Sequence, residues 1–137
     1  MSFGRPEAAM WDNVRPYLVP HGVWERVENG VLAGMADVSF CAFGSAGWIE
    51  LKAPGRFPMR LKGWRKEQIA WTVKRCWHGD RCFGLIKTPN GLIVLRFDKD
   101  NVRDVNELTL SSLEERAIYR ASGPLLMTEL WREFLTP

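Results

Sequence analysis

The chain has 137 residues, enough for one domain with a buried core and too few for two. With 46% hydrophobic and 26% charged residues it is neither disordered nor fibrous, and no stretch approaches the length that spans a bilayer. The N-terminal "MSFGRPEAAMW" has no apolar signal core, so a cytoplasmic protein without membrane association is expected, and its three cysteines read as reduced thiols rather than a disulfide framework.

In chain order, "RPEAAMWDNVRPYL" places Met10, Trp11, Val14 and Leu18 at helical spacing and predicts a helix from about residue 6, with Pro6 in its first turn and Pro16 shortening or kinking it. "GVWERVENG" reads as a strand closed by Asn29-Gly30. "GMADVSFCAFGSAGWIELK", residues 34 to 52, reads as two strands joined by a two-residue turn at Gly44-Ser45, with Gly first as a type II′ turn prefers. In that register Val38 faces Leu51 and Phe40 faces Ile49 on an apolar side, while Asp37 faces Lys52 and Ser39 faces Glu50 on the other. A slip of one residue would scatter both sets.

"MRLKGWRKEQIAWTVKRCWHG" predicts an amphipathic helix, with Leu61, Trp64, Gln68 and Trp71 on one stripe, Ile69, Val73, Cys76 and Trp77 beside it, and Gly79 at its end. "CFGLIKTPNGLIVLRFD" predicts a hairpin turning at Asn90-Gly91. Two shorter helices follow, "SSLEERAIYRA" opened by a Ser cap and "PLLMTELWREFL" opened by Pro124. In the second, Leu126, Leu130, Trp131 and Phe134 either cap the core or meet a partner. The order describes a single α/β domain over residues 1–137 built on a mixed sheet, with a core over about 5–98 and a helical extension over about 105–137.

Net charge is +3, but its distribution is uneven. Lys52, Arg56, Arg60, Lys62, Arg65, Lys66, Lys74, Arg75 and Arg81 stand against only Glu67 and Asp80, a local +7, and the remainder of the chain carries −4. Such a run is either a solvated helix face or a cradle for a polyanion. Asp37, Glu50 and Lys52 pose the sharper question, because a charge in a half-buried strand is costly unless it is paired or bound to a cation. Two carboxylates and a backbone carbonyl are hard oxygen ligands of the kind Mg²⁺ takes, and a neighbouring lysine can orient water or stabilise charge on a phosphate. Read alone, the triplet is more often a surface salt-bridge cluster.

Together, "GMADVSF", "WIELK" and "LKGWRKEQIAW" resemble the PD-(D/E)XK nuclease superfamily and, within it, the small VRR-NUC type, over roughly residues 5 to 98. The resemblance implies a restriction-endonuclease-like mixed β-sheet flanked by helices, here with C-terminal helices added. It makes Asp37 and Glu50 the acidic metal ligands, the Leu51 carbonyl a third ligand, and Lys52 and Gln68 catalytic, with Glu7 on the first helix assisting and Glu28 the alternative. The basic residues Arg56, Arg60, Lys62, Arg65, Lys66, Lys74 and Arg75 would then bind DNA phosphates. It further implies Mg²⁺ as cofactor, with Mn²⁺ substituting, and a homodimer acting on branched DNA as Holliday-junction resolvases do. The family has Pro before the Asp where this chain has Ala36, a position that stiffens the strand entry but supplies no ligand.

Other readings of the fold and residues are a non-catalytic nucleic-acid-binding module, or a nuclease acting on linear DNA or RNA. Cys76, His78 and Cys82 lack a fourth ligand and zinc spacing. Trp64, Trp71 and Trp77 are expected mostly in the core or at a subunit interface, though one could stack on an unpaired base.

Overall fold

The computed structural model describes residues 5–27 and 33–135. Glu28 and the Asn29-Gly30 turn lie outside the described residues. The elements run α1 (Arg5–Leu18), a 3₁₀ turn (Val19–His21), β1 (Val23–Arg26), β2 (Val38–Ala42), β3 (Ser45–Lys52), α2 (Lys66–Trp77), β4 (Cys82–Thr88), β5 (Gly91–Phe97), a 3₁₀ segment (Asn101–Glu107), α3 (Leu110–Arg116), β6 (Tyr119–Ala121), α4 (Pro124–Met127) and α5 (Leu130–Leu135). The six strands form one sheet in the order β1-β2-β3-β4-β5-β6. Every neighbouring pair is antiparallel except β3 and β4, whose parallel pairing requires the crossover that α2 makes. No helix among the described residues is long and apolar enough to cross a membrane.

Each face of the sheet carries its own core. On one, Met10, Trp11, Val14 and Leu18 of α1 pack on Val38, Phe40, Ile49, Leu51, Phe83 and Leu85, and Leu130 and Phe134 of α5 close the layer. The Phe134 ring meets Trp24, Phe40 and Phe83 at centroid distances of 5.8, 5.9 and 5.2 Å, within the usual range for favourable aromatic pairs. The final helix therefore caps the core through Leu130 and Phe134, while Leu126 is exposed and Trp131 stacks on His21. The other face is covered by α2 and the loop before it, the 3₁₀ segment and α3, through Leu61, Trp64, Ile69, Val102, Val105 and Leu113.

Several local expectations change. The β2–β3 turn falls at Phe43-Gly44, with φ of 50° and 85°, so Val38 pairs with Ile49 and Phe40 with Gly47. Both central residues are left-handed, as a type I′ turn requires, and the register moves by two residues, which preserves the face of every side chain. Asp37 thereby comes level with Glu50 rather than Lys52. Second, α2 begins at Lys66 and not near residue 59: Lys62 adopts φ 53°, and Asn106 holds Trp64 by both its N–H and its carbonyl, at 2.9 and 2.6 Å, so Leu61 and Trp64 are buried from an irregular loop.

Third, the hairpin loop is Pro89-Asn90, because Thr88 pairs with Gly91 and its hydroxyl bonds the Asn90 N–H and Gly91 carbonyl. Fourth, the helix expected over "SSLEERAIYRA" stops at Arg116, and Tyr119–Ala121 becomes a sixth strand on the exposed edge of β5. "PLLMTELWREFL" likewise divides into α4 and α5.

Phe43 is 95% exposed in a conformation that suits Asn or Gly far better than an aromatic residue. Phe43→Asn is expected to raise stability by about 0.5–1 kcal/mol, whereas Phe134→Ala lowers it by about 3–5 kcal/mol, both measured by denaturant unfolding. A neutral Phe134→Ala would remove α5 from the core.

Candidate active site

The end of β3 gathers the charged residues singled out in the sequence. Asp37 stands where the β2–β3 ladder ends, and its carboxylate accepts the Leu51 N–H at 2.9 Å, replacing the backbone partner that a longer strand would supply. Its own carbonyl accepts the Val27 N–H at 2.7 Å, tying it to the end of β1. Gly34, just upstream, adopts φ 82° against the first turn of α2, where a Cβ would lie 2.2 Å from the Glu67 carbonyl oxygen. Only glycine fits there, so the loop carrying Asp37 packs directly on the helix carrying Gln68. The glycine in "GMAD" is the one sequence signal for this contact.

Glu50 projects from β3 onto the α2 side and is only 6% exposed. Its Oε2 accepts the Gln68 amide at 2.5 Å and the Lys52 ammonium at 3.1 Å. The Gln68 carbonyl oxygen accepts Lys52 Nζ at 3.1 Å and the Arg65 backbone N–H at 2.9 Å, which caps α2 in the same stroke. Lys52 is further enclosed by the Trp64 ring, 4.9 Å from its Nζ to the centroid. Glu50 Oε1 is buried and has no hydrogen-bond partner among the described residues. Glu7 is held beside this cluster, accepting the Ala53 N–H at 3.2 Å, three residues beyond Glu50.

Burial first, then the adjacent Asp37 carboxylate, pushes Glu50 up to about 8, against the pull of Lys52. Asp37 is also raised, chiefly by burial, with the Leu51 N–H and Lys52 opposing. The adjacent Asp37 charge disfavours that of Glu50, while the hydrogen bond from Glu50 lowers Asp37, so the two carboxyl groups share a proton held on Glu50 unless a cation neutralises both. The donor set of Asp37, Glu50 and the Leu51 carbonyl is all hard oxygen, and the orphaned Glu50 Oε1 fits a further positive partner. Among the described residues no group of three or more His, Cys, Asp or Glu side chains is placed to hold a metal, so Glu7 stands at the rim of this pair rather than within a three-carboxylate cage.

The basic residues divide by position. Arg56, Lys62, Arg65 and Lys66 are exposed around the loop and the helix start, at the end of the sheet that holds Glu50. Arg60 is paired with Glu107 at 2.8 Å, and Arg75 with Asp80 at 3.4 Å, where it also covers the Trp48 and Trp71 rings. Lys74 and Arg75 lie in the last turn of α2, about 10 Å along its axis from Gln68. Asn106, the clasp that fixes Trp64 and through it the wall beside Lys52, was not legible in the sequence, because its partner is 42 residues away.

Neither a family model nor any curated protein sequence matches the chain. Among solved structures it is similar to the 1.6 Å structure of Archaeoglobus fulgidus Hjc, a Holliday junction resolvase from an archaeal hyperthermophile, with a TM-score of 0.54 and 13% identity, covering 81% of this chain and 91% of that one. At that identity the likeness is one of fold, and the mixed six-stranded sheet with flanking helices is the restriction-endonuclease-like architecture expected from the sequence.

A raised carboxyl makes the metal-free fold lose stability with pH. Below the ordinary Glu value of 4.5 both folded and unfolded chains hold the proton; between 4.5 and about 8 the folded chain alone keeps it, so stability falls across that window and levels off above it. In EDTA the melting temperature should drop from pH 5 to pH 8, and Glu50→Gln should flatten that slope by an amount on the order of a few kcal/mol. Identical slopes in the two proteins would mean that Glu50 is not held in a low-polarity site.

Proposed function

We propose that the chain is a divalent-metal-dependent endonuclease that hydrolyses DNA phosphodiester bonds, of PD-(D/E)XK type and small VRR-NUC subtype, acting as a homodimer on branched DNA. The observation that carries this reading is the buried Glu50 carboxylate, clamped on one oxygen by Lys52 and Gln68, unpartnered on the other, and beside Asp37. A structural ion pair has no need of a second, half-buried carboxylate beside it, whereas a cation site does.

In this reading Asp37, Glu50 and the Leu51 carbonyl hold Mg²⁺ or Mn²⁺. Such an ion supplies positive charge at the scissile phosphate and lowers the pKa of water. Lys52, fixed by Gln68 and the Trp64 ring, presents its ammonium beside the carboxylates, where it stabilises the charge that builds on the phosphate oxygens. Gln68 keeps the lysine and Glu50 in one geometry, and Glu7 secures the backbone just beyond them. Arg56, Lys62, Arg65 and Lys66, with no ion pair among the described residues, take backbone phosphates, and Lys74 extends the track; Arg60 and Arg75 join by exchanging Glu107 and Asp80 for phosphate. The resolvase fold of the solved neighbour supports branched DNA as substrate, and concerted cutting of two strands is met most simply by two-fold symmetry.

The test is a cleavage panel of linear, single-stranded, flapped and four-way-junction DNAs with Mg²⁺, Mn²⁺ or EDTA. Cutting should require metal and favour the branched substrates, and Asp37→Asn and Glu50→Gln should each reduce it on the order of 10²–10³-fold while the fold persists. Light scattering should give a dimer. Wild-type cutting by both variants would overturn the assigned site, and a monomer that cuts linear and four-way DNA equally would overturn the resolvase reading.

A further inference from the structure

Beyond the catalytic cluster, α2 bears a second functional face. Lys66, Ile69, Ala70, Val73, Lys74 and Trp77 recur at helical spacing along one stripe, and with His78 and with Arg103 of the 3₁₀ segment they line a groove of ≈ 380 Å³. Its floor is apolar, its rim carries Lys66, Lys74, Arg103 and His78, and no carboxylate lines it. Trp77 is 65% exposed. Its one ring contact among the described residues is Lys99 Nζ, 5.3 Å from the centroid, an ammonium that is itself paired with Asp100 at 3.1 Å. Arg103 is steadied by a 3.1 Å bond from its Nε to the Lys99 carbonyl.

We infer that this groove binds a single-stranded nucleic-acid segment, with Trp77 as the platform on which an unpaired base stacks. The combination selects that class of ligand. Cations in a groove that no carboxylate lines call for a polyanion, and an exposed indole over an aliphatic floor calls for flat apolar surface on the same ligand. Duplex backbone offers the first and not the second, whereas a single strand offers both. Place supports the assignment too: the groove begins at Lys66, two residues from the Gln68 that touches Glu50 and Lys52, and runs about 16 Å along α2 to Trp77, a path for a few nucleotides leading away from the catalytic end. The inference rests on the nuclease reading and deepens it: the substrate carries unpaired nucleotides beside the bond that is cut, as a flap or splayed arm does. Of the three tryptophans on this part of the chain, Trp64 is buried, Trp71 is partly buried beneath Arg75 with its edge on Trp48, and only Trp77 is open to a base.

The test uses fluorescence anisotropy in EDTA, with Glu50→Gln as the parent protein so that nothing is cut. Labelled oligothymidine and a duplex with a short single-stranded tail are compared with the same duplex blunt-ended. Trp77→Ala should weaken the tailed duplex and the oligothymidine on the order of tenfold and leave the blunt duplex within about twofold, and Trp77→Phe should keep most of the affinity. Arg103→Glu should weaken the tailed duplex as well. Equal binding of tailed and blunt DNA by parent and Trp77→Ala would overturn the inference. So would a Trp77→Ala protein of altered oligomeric size and unaltered DNA affinity, since the groove would then be a protein interface. Cleavage by the wild-type chain is measured separately with Mg²⁺: absence of cutting alongside Trp77-dependent tail binding would end the nuclease reading and leave the groove standing, and the reverse pattern would do the opposite.

Discussion

Burying Glu50 on a central strand is the constraint to which the surrounding elements answer. A carboxyl group in that position is tolerated only with partners, and the partners come from three separate places: Lys52 from the same strand, Gln68 from α2, and the backbone that fixes Asp37 beside it. The Gln68 carboxamide is the hub, donating to Glu50 and accepting from both Lys52 and the N–H of Arg65, the residue that caps its own helix. Moving α2 by even an ångström would disturb its bonds to Glu50 and Lys52, which is why Gly34 under Glu67 and the Asn106 clasp on Trp64 belong to the site although neither carries its chemistry.

How much of this could be read beforehand depended on which quantity a register error disturbs. The facing of Asp37, Glu50 and Lys52 survived a turn placed one residue too late, because moving the turn by one shifts the pairing by two and leaves strand parity untouched. The turn itself was misplaced because Phe43 at positive φ contradicts its propensity; the paired strands beneath it override the local preference. The start of α2 departs from the sequence pattern for a related reason. Leu61 and Trp64 match a helical period, yet they are buried from a loop whose shape is set by Lys62 at positive φ and by Asn106 far along the chain. The sixth strand was hidden in a segment with helical periodicity, and it forms because the edge of β5 offers Tyr119–Ala121 a ladder that no local pattern records. Strand faces and the helix stripe were legible, whereas turn positions and the contacts closed by the tertiary fold were not.

The distribution of cations makes the same distinction at the level of function. The sequence shows one basic run, but in the structure its members differ: Arg60 and Arg75 already answer carboxylates, while Lys62, Arg65 and Lys66 are exposed near the carboxylate cluster with no ion pair among the described residues. Helix α2 thus serves two surfaces. Its N-terminal turn closes the carboxylate cluster, and its outer stripe carries an exposed tryptophan between cations. The fold likeness to an archaeal resolvase accounts for the scaffold, and at 13% identity the chemistry rests on this chain's own side chains.

The central claim is that Asp37 and Glu50 form a proton-holding pair that exchanges its proton for a divalent cation. Calorimetric titration of the protein with Mn²⁺ at pH 7, repeated in buffers of different ionisation enthalpy, measures both the binding and the protons released. The account predicts saturable binding at one site with release of about one proton, both abolished in Glu50→Gln. Binding without proton release, or release unchanged in Glu50→Gln, would contradict it.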